Sequence, residues 1–515
     1  MSHIDVYTGL YGLLASILVY WLGMRWNRSR RSSPPGPRGL PLIGNALHMP
    51  ADREWVQFAE WAKTYGSIVH LSVFGRSIVL LSSPEVITDL LEKRGAIYSD
   101  RPILHFAGEM VGYNRFILLE PYSTRLREER KIILSNINPR RGAEIHQVQE
   151  AKVIQLLDKL LDTPDCFRDH LRWFVAAVVF QISHGHEVKD FEDRFVRLAE
   201  ETTHDFSLAA QPGQHLVDSL PLLKRIPDWA PGTHFKDVAR AGRLLLRRLR
   251  DEPYDHVKRQ IARGTASPSI TASVIESNPN PTPEEEDLQK SATCMLYASA
   301  LRQTVSALGS FFLIMTLYPE VQRKAQAELD SVVEHGRLPT FDDRSKLPYL
   351  ECVMKEIIRW NPVSPLALPH SLTQNDVYEG YHIPAGSTVI PNTWAILHDP
   401  SLYPHPFEVT PERYIDADDK LNPDPRTFAF GYGRRVCPGQ FLADHSLFIV
   451  VATVLSTMNI GRAKRDDGTP IDIHVEYSGG AISHPNEFQC CITPRSQEVG
   501  RIVRHAAGSN LAETA

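Results

Sequence analysis

Phe430-Gly431-Tyr432-Gly433-Arg434-Arg435-Val436-Cys437-Pro438-Gly439 is the stretch on which the reading of the whole chain turns, and a helical run follows it from Gln440. Glycines let a backbone turn tightly and approach a flat ligand closely. A cysteine just before a helix N-terminus has its thiolate favoured by the helix dipole and by free backbone N–H donors. Arg434 and Arg435 add positive charge beside it. Such residues suit an anionic sulfur that pushes electron density onto a bound iron. Without an iron, the same loop is a glycine-rich turn around a buried core cysteine. Six cysteines in 515 residues are too few for a disulfide framework, and only Cys490 and Cys491 sit close together. The chain therefore reads as one from a reducing compartment, with any special cysteine acting as a ligand or a reactive group.

Upstream of this loop, residues 377–391 alternate around Glu379-Gly380 and Pro384-Ala385-Gly386, which predicts short strands. Leu347 to Trp360 and 319–333 read as helices, the second opened by Pro319. The run 291–317 is apolar on nearly all sides and should lie buried in the middle of the fold. It is preceded by an acidic helix start, Pro283-Glu284-Glu285-Glu286, and by a stretch, 264–284, that reads as a polar loop. From about 85 to 330 the pattern is mostly helical, broken at Pro121, Pro139 and 212–232. Residues 68–82 read as a hairpin turning at Phe74-Gly75-Arg76. No internal repeat or clean linker divides 46–515, so the expectation is one large, mainly α domain with a minor β region.

Tyr7 to Met24 is an uncharged, mostly apolar run. Roughly 18 helical residues span about 27 Å, just enough for a bilayer core. Arg25, Arg28, Arg30 and Arg31 crowd its C-terminal side, with no Lys or Arg before it, which keeps the bulk of the chain in the cytosol. A cleaved signal peptide would carry its basic flank on the other side and a small-residue cleavage site after the run. Pro34-Pro35-Gly36-Pro37 makes a stiff spacer. The expected organisation is an anchor at 1–24, a basic, proline-rich hinge at 25–45 and the catalytic domain at 46–515. The net charge of −5, from 56 basic and 61 acidic residues, gives no nucleic-acid footprint. Gly431-x-Gly433 lacks the third glycine and the preceding strand of a dinucleotide fingerprint, so the sequence shows no nicotinamide site of its own. His184 and His186 have no zinc spacing and read as ordinary structural or surface residues.

The cysteine loop resembles the F-x-x-G-x-R-x-C-x-G signature of the cytochromes P450, at Phe430, Gly433, Arg435, Cys437 and Gly439. Glu356-Ile357-Ile358-Arg359 is similar to the family's E-x-x-R element, and Pro411-Glu412-Arg413-Tyr414 to its P-E-R-F/Y element. One E-x-x-R is only an i, i+3 pair of any charged helix; three motifs in order are specific. The resemblance runs from the proline hinge to Phe488-Gln489-Cys490. It points to fungal microsomal members that oxidise secondary metabolites, such as the O-methylsterigmatocystin oxidoreductases and tryptamine hydroxylases. Shared wording includes Tyr98-Ser99-Asp100-Arg101-Pro102, Arg359-Trp360-Asn361-Pro362, Pro369-His370 and His398-Asp399-Pro400.

The resemblance implies the cytochrome P450 fold behind one transmembrane helix, and haem b (iron protoporphyrin IX) ligated by Cys437. It places Phe430 and Gly439 in the haem loop, and Arg130, His370 and Arg435 on the haem propionates, where cation-to-carboxylate hydrogen bonds are needed. Glu356, Arg359 and Arg413 would form a buried ion-pair network. The implied partners are NADPH–cytochrome P450 reductase, a small lipophilic substrate and membrane lipid, on the endoplasmic reticulum in single-pass topology. One departure is Leu126, where the family usually has a tryptophan donor.

A larger departure lies in the helix over the haem, where the family carries (A/G)-G-x-(D/E)-T-(T/S). Here Ser299-Ala300-Leu301-Arg302-Gln303-Thr304 stands instead. Arg302 replaces the acid and Gln303 the alcohol of the proton relay, with Thr304 at the second hydroxyl. An arginine does not deprotonate in a protein and a carboxamide is neither acid nor base. A buried arginine also needs a partner: a substrate carboxylate, a propionate or a nearby acid. Alternatively it snorkels to the helix edge. Three functions stay open on sequence: a monooxygenase drawing protons through substrate or water, a redox-independent haem-thiolate isomerase or cyclase, and an impaired paralogue. Phe106, Met110, Leu301, Val363, Leu366 and Leu368 are the expected apolar wall for substrate.

Overall fold

The computed structural model describes residues 33–514, except 191, 212, 335 and 416–421. The expected anchor at 1–24 lies outside the described residues.

Strands β1 (Ile68–Val73) and β2 (Arg76–Leu81) pair antiparallel through Phe74-Gly75, both at positive φ (47° and 79°), as a two-residue hairpin demands. The sheet is completed by β3 (His370–Ser371) and β6 (Thr388–Pro391) in the order β1-β2-β6-β3, with β2 and β6 parallel. Two hairpin-like pairs stand apart: β4 (Asp376–Tyr378) with β5 (Tyr381–Ile383), and β7 (Met458–Arg462) with β8 (Cys490–Pro494). The expected short strands in 377–391 are thus present. Ser371 N–H also donates to the Asp100 carbonyl at 2.8 Å, which carries the 98–101 segment against β3.

The helices that frame the site are α1 (Glu54–Tyr65), α2 (Thr124–Asn136), α3 (Gly142–Asp162), α4 (Phe167–His184), α5 (Arg194–Ala209), α6 (His234–Arg263), α7 (Pro283–Leu317), α8 (Pro319–Val332), α9 (Pro348–Trp360) and α10 (Gln440–Thr457). Helix α7 starts in a capping box: the Thr282 hydroxyl accepts from Glu285 N–H while the Glu285 carboxylate accepts from Thr282 N–H. It then runs 35 residues through the core, packed on α4 and α2, with Phe311, Phe312, Ile314 and Met315 fully buried. Helices α7 and α10 are long and apolar enough to cross a membrane, yet 67% of each apolar window is buried inside the fold. That burial makes both core helices.

One stretch departs from its expectation. Residues 264–284 are not loop throughout, because Ile270–Ser277 forms a helix capped by the Ser269 hydroxyl on Ala272 N–H. Ile270, Val274 and Ile275 bury one face. Flanking serine, threonine and proline hid this short apolar period.

Helix α9 is locked by charge. Arg359 clasps Glu356 through Nε and Nη2 at 2.7 and 3.0 Å and donates Nη1 to the carbonyls of Leu397 and Pro406. Arg413 Nε lies 3.0 Å from the same carboxylate, an ion pair without hydrogen-bond alignment. Thr410 N–H fills the other oxygen at 2.9 Å. Glu356 and Arg359 are fully buried, so each depends on the other.

Candidate active site

The cysteine loop closes on itself where Cys437 N–H donates to the Phe430 carbonyl at 2.8 Å. At Gly433 (φ 53°) an added Cβ would sit 2.1 Å from the Leu91 carbonyl oxygen, so only glycine lets the loop pack there. Gly439 needs no such freedom, with φ −93°. It matters through its backbone N–H, which together with Gln440 N–H meets the Cys437 sulfur just before α10. Burial pushes the Cys437 thiol up, while those two donors and Arg130 pull the other way. The helix end is visible in the sequence, whereas the desolvation of Cys437 depends on tertiary packing. Coordination to a metal offsets that desolvation, because a bound thiol is deprotonated outright.

Cys437 opens on a cavity whose wall also includes Phe430, Gly439, Arg101, Arg130, His370 and Arg435. All six cysteines are free, and Cys437 is the one that lines this cavity. Arg130 Nη2 donates to the Val436 carbonyl at 2.8 Å, fastening α2 to the cysteine loop. Arg435 donates to the carbonyls of Ser99 and Glu120, both at 2.7 Å. Arg101 donates to the carbonyls of Leu118, Leu368 and Pro369 at 2.7 to 3.0 Å. His370 Nδ1 lies 2.8 Å from the Tyr98 carbonyl, so the neutral ring donates there and the second nitrogen donates only as imidazolium.

Burial and neighbouring charge work against these cations. Burial, with Arg435 adding repulsion, lowers Arg101 to about 9. Burial lowers Arg435 to about 10 and, with Arg101 beside it, His370 to about 3. Of the two nearby acids, Asp100 already accepts from the backbone N–H groups of Arg101 and Tyr122, and Glu120 from the Ser123 hydroxyl, which leaves four basic side chains against two carboxyls. A buried cationic excess of this kind calls for an anion. A planar macrocycle with two carboxylates and an iron for the sulfur fits this donor set.

The α7 wall comprises Met295, Leu296, Ser299, Ala300, Gln303, Thr304 and Ala307, which is one helical face. Gln303 and Thr304 therefore face the cavity. Arg302 does not: it turns about 100° away, and its Nη1 donates to Ser207 Oγ on α5 at 3.4 Å. Burial lowers the Arg302 guanidinium and Glu200 of α5 opposes the shift. Its hydrogen-bond partner is thus a serine at the helix edge, with Glu200 acting only beyond ion-pair distance. Helix α7 runs unbroken through Ala300.

The expected apolar wall is corrected at four of its six positions. Val363 and Leu368 line the cavity, but Phe106, Met110, Leu301 and Leu366 do not. Leu301 shares the far face of α7 with Arg302, Leu366 packs with β1 and β2, and Phe106 stacks on His215 with ring centroids 3.4 Å apart. Ile117, Leu118, Val175 and Val179 take their place. Leu126 is buried and brings no donor. Arg101 was missed as a site residue, although its segment was singled out, because the β3 pairing that carries it beside His370 leaves no local sequence signal. His184 is buried against Ser183, and His186 Nε2 lies 2.6 Å from Asp193. Among the described residues no histidine, cysteine and acid group is arranged to hold a metal by itself.

A single cavity-lining cysteine below a long central helix, ringed by buried cations, defines the haem-thiolate class of proteins. The chain belongs to the cytochrome P450 family, whose family model, described as Cytochrome P450, matches residues 34–492. It is 42% identical over 494 residues to "Cytochrome P450 monooxygenase claR" of Ampulloclitocybe clavipes, covering 95% of this chain and 91% of that one. It is 43% identical over 487 residues to "Cytochrome P450 monooxygenase 208" of Postia placenta, covering 94% of each. "Tryptamine 4-monooxygenase" of Psilocybe cyanescens is 38% identical over 496 residues, with 95% and 97% covered. The protein is a haem-thiolate monooxygenase, an oxidoreductase using haem b, a small-molecule substrate and a redox-partner reductase. The isomerase or cyclase alternative is not favoured. Fungal members of the family are typically membrane-anchored.

Proposed function

We propose that Cys437 is the iron ligand of a membrane-anchored monooxygenase that hydroxylates a small lipophilic secondary metabolite. The observation that carries this is the meeting of the one cavity-lining cysteine with Arg101, Arg130, His370 and Arg435. Haem held through a thiolate supplies dioxygen activation and oxygen insertion, with electrons from NADPH–cytochrome P450 reductase. Arg130, Arg435 and Arg101 would hold the propionates, whose negative charge would return to His370 the proton that burial removes; Phe430 would lie in the haem loop, and the N–H groups of Gly439 and Gln440 would support the sulfur. The α7 face and the Val363–Leu368 segment bring no ionisable side chain to the cavity, which suits an uncharged, apolar reacting part of the substrate. Gln303 offers its carboxamide and Thr304 its hydroxyl to that substrate or to water; neither replaces the acid of the usual relay.

The proposed location is the endoplasmic reticulum membrane, single-pass through 7–24, with the domain cytosolic. Exposed Leu42, Phe74, Leu216, Leu220 and Leu222 support a lipid-facing side. Phe74 N–H donates to the Ile43 carbonyl at 3.2 Å, and Arg76 donates to the Asp218 carbonyl, so these segments are neighbours.

The test is a carbon-monoxide difference spectrum of the microsomal protein, reduced by dithionite and by NADPH with reductase, followed by product labelling from isotopic dioxygen. The expected result is a red-shifted thiolate Soret band with both reductants, lost in Cys437→Ser, and label in the product. A haem-replete wild type without that band overturns the assignment of Cys437.

A further inference from the structure

We propose that Arg302 is a positioning residue that fastens α5 across α7 and thereby restrains access to the cavity. Arg302 stands on α7 one position before Gln303, on the side away from the cavity wall. Its guanidinium donates to Ser207 Oγ at 3.4 Å, and the Ser207 hydroxyl donates on to the Thr203 carbonyl at 2.9 Å. Glu200, Thr203 and Ser207 are spaced i, i+3, i+7 and so share one face of α5. Glu200, itself held by Arg172 of α4 at 2.5 Å, attracts the Arg302 charge beyond ion-pair distance, and Arg172 repels it more weakly. Three helices therefore meet at a junction of Arg302, Glu200 and Arg172. An acid at position 302 would face Glu200 as a like charge.

Position matters because α5 leads into part of the cavity's surroundings. Phe206 near its end packs edge-on against Tyr113, with centroids 4.7 Å apart. Beyond it, His215 stacks on Phe106 and Asp218 accepts from Phe106 N–H at 2.9 Å. A shift of α5 loosens these contacts, which tie it to the segment 106–113 just ahead of Ile117 and Leu118 of the cavity wall. In this arrangement Arg302 stabilises a wall and presents no charge to substrate.

The proposal rests on the haem assignment of the cavity, and two readouts keep the two claims apart. Stopped-flow binding of 4-phenylimidazole to the ferric holoprotein follows access through the Soret shift. Hydrogen–deuterium exchange of Arg194–Ala209 follows α5 directly. For Arg302→Gln and for Glu200→Gln we expect azole association and dissociation both about fivefold faster, as loss of a half-exposed charged contact allows, with faster exchange in α5. Azole affinity should move less than about twofold, because both rates change together. The double variant should do no more than the stronger single one, and Arg302→Lys should stay near the wild type. Unchanged rates and exchange in Arg302→Gln overturn the proposal, as do additive single effects. So does a change in azole affinity at constant α5 exchange, which would mean a group acting inside the cavity. Absence of any azole-induced shift in the wild type counts against the haem assignment alone, and α5 exchange then decides on Arg302.

Discussion

Gln303 is the residue where the chemistry of this protein departs furthest from a standard relay. It lines the cavity on the turn of α7 that also presents Ser299, Ala300 and Thr304. A carboxamide donates and accepts hydrogen bonds but does not exchange protons as an acid or base. A positioned proton-transfer group contributes on the order of a hundredfold or more to a step that depends on it. In Gln303→Thr we expect the share of NADPH appearing as oxidised product to rise several-fold, with less peroxide released, measured in membranes reconstituted with reductase. No gain, or a loss of product, would mean that the substrate or its water carries the protons and that Gln303 holds them in place. Sequence placed Gln303 and Thr304 over the cavity, but it could not orient Arg302. Helix α7 is apolar almost all round, so its pattern does not say which face meets the cavity. One residue of rotation separates a charge aimed at substrate from a charge aimed at α5.

Among the elements, α9 and the segment after it show most directly how a motif becomes architecture. Arg359 is fully buried and makes its hydrogen bonds to Glu356 and to carbonyls of Leu397, Pro406 and Glu408. Removing one partner of such a pair strands a buried charge at a cost of about 3–5 kcal/mol. Arg359→Ala should therefore fail to accumulate as haem-bound protein and should unfold at clearly lower temperature, followed by circular dichroism. A variant melting within about 1 °C of the wild type, against the roughly 3–5 °C that a loss of this size moves in so large a domain, would contradict this account.

Helix α2 carries a charge effect that sequence hides. Glu129 is fully buried, one of its oxygens has no partner, and Arg125 approaches the other at 3.3 Å. Burial, with Glu120 adding repulsion, raises it from 4.5 to about 8, against the pull of Arg125. Below pH 4.5 folded and unfolded chains are both protonated there, and the group has no effect on stability. Between 4.5 and 8 the unfolded chain ionises while the folded one holds its proton, so stability falls as pH rises, levelling above 8. Glu129→Gln should remove that slope and raise the melting temperature at pH 8 more than at pH 5. An unchanged slope would show that Arg125 keeps the carboxylate ionised. The strands and long helices were legible because period and turn residues are local signals. The burial of Glu129, beside the equally charged Glu128, was not, since it depends on how α2 docks on α7.

At the scale of the whole molecule, one side differs from the rest. Leu216, Leu220 and Leu222 are followed in the same connection by Trp229, which is 86% exposed. Lys224 and Arg225 lie between them. Leu42 and Phe74 reach the same side through the backbone bonds of the hairpin turn and the Arg76 contact to Asp218. Each large apolar side chain left in water forgoes roughly 1.5–3 kcal/mol of burial, so a group this size implies an apolar surroundings. Tryptophan and basic residues beside leucines are what a bilayer interface favours. The described proline segment is held to β1, the strand that ends at Phe74, where His70 N–H donates to the Pro35 carbonyl at 2.8 Å. Full-length protein in vesicles containing bromine-labelled lipid should therefore lose part of its tryptophan fluorescence, and Trp229→Phe should lose most of that quenchable part. If the Trp229→Phe protein is quenched as strongly as the wild type, the domain does not rest on the bilayer through this connection. Because the proposed anchor is unchanged in the variant, the comparison separates the pose of the domain from mere attachment.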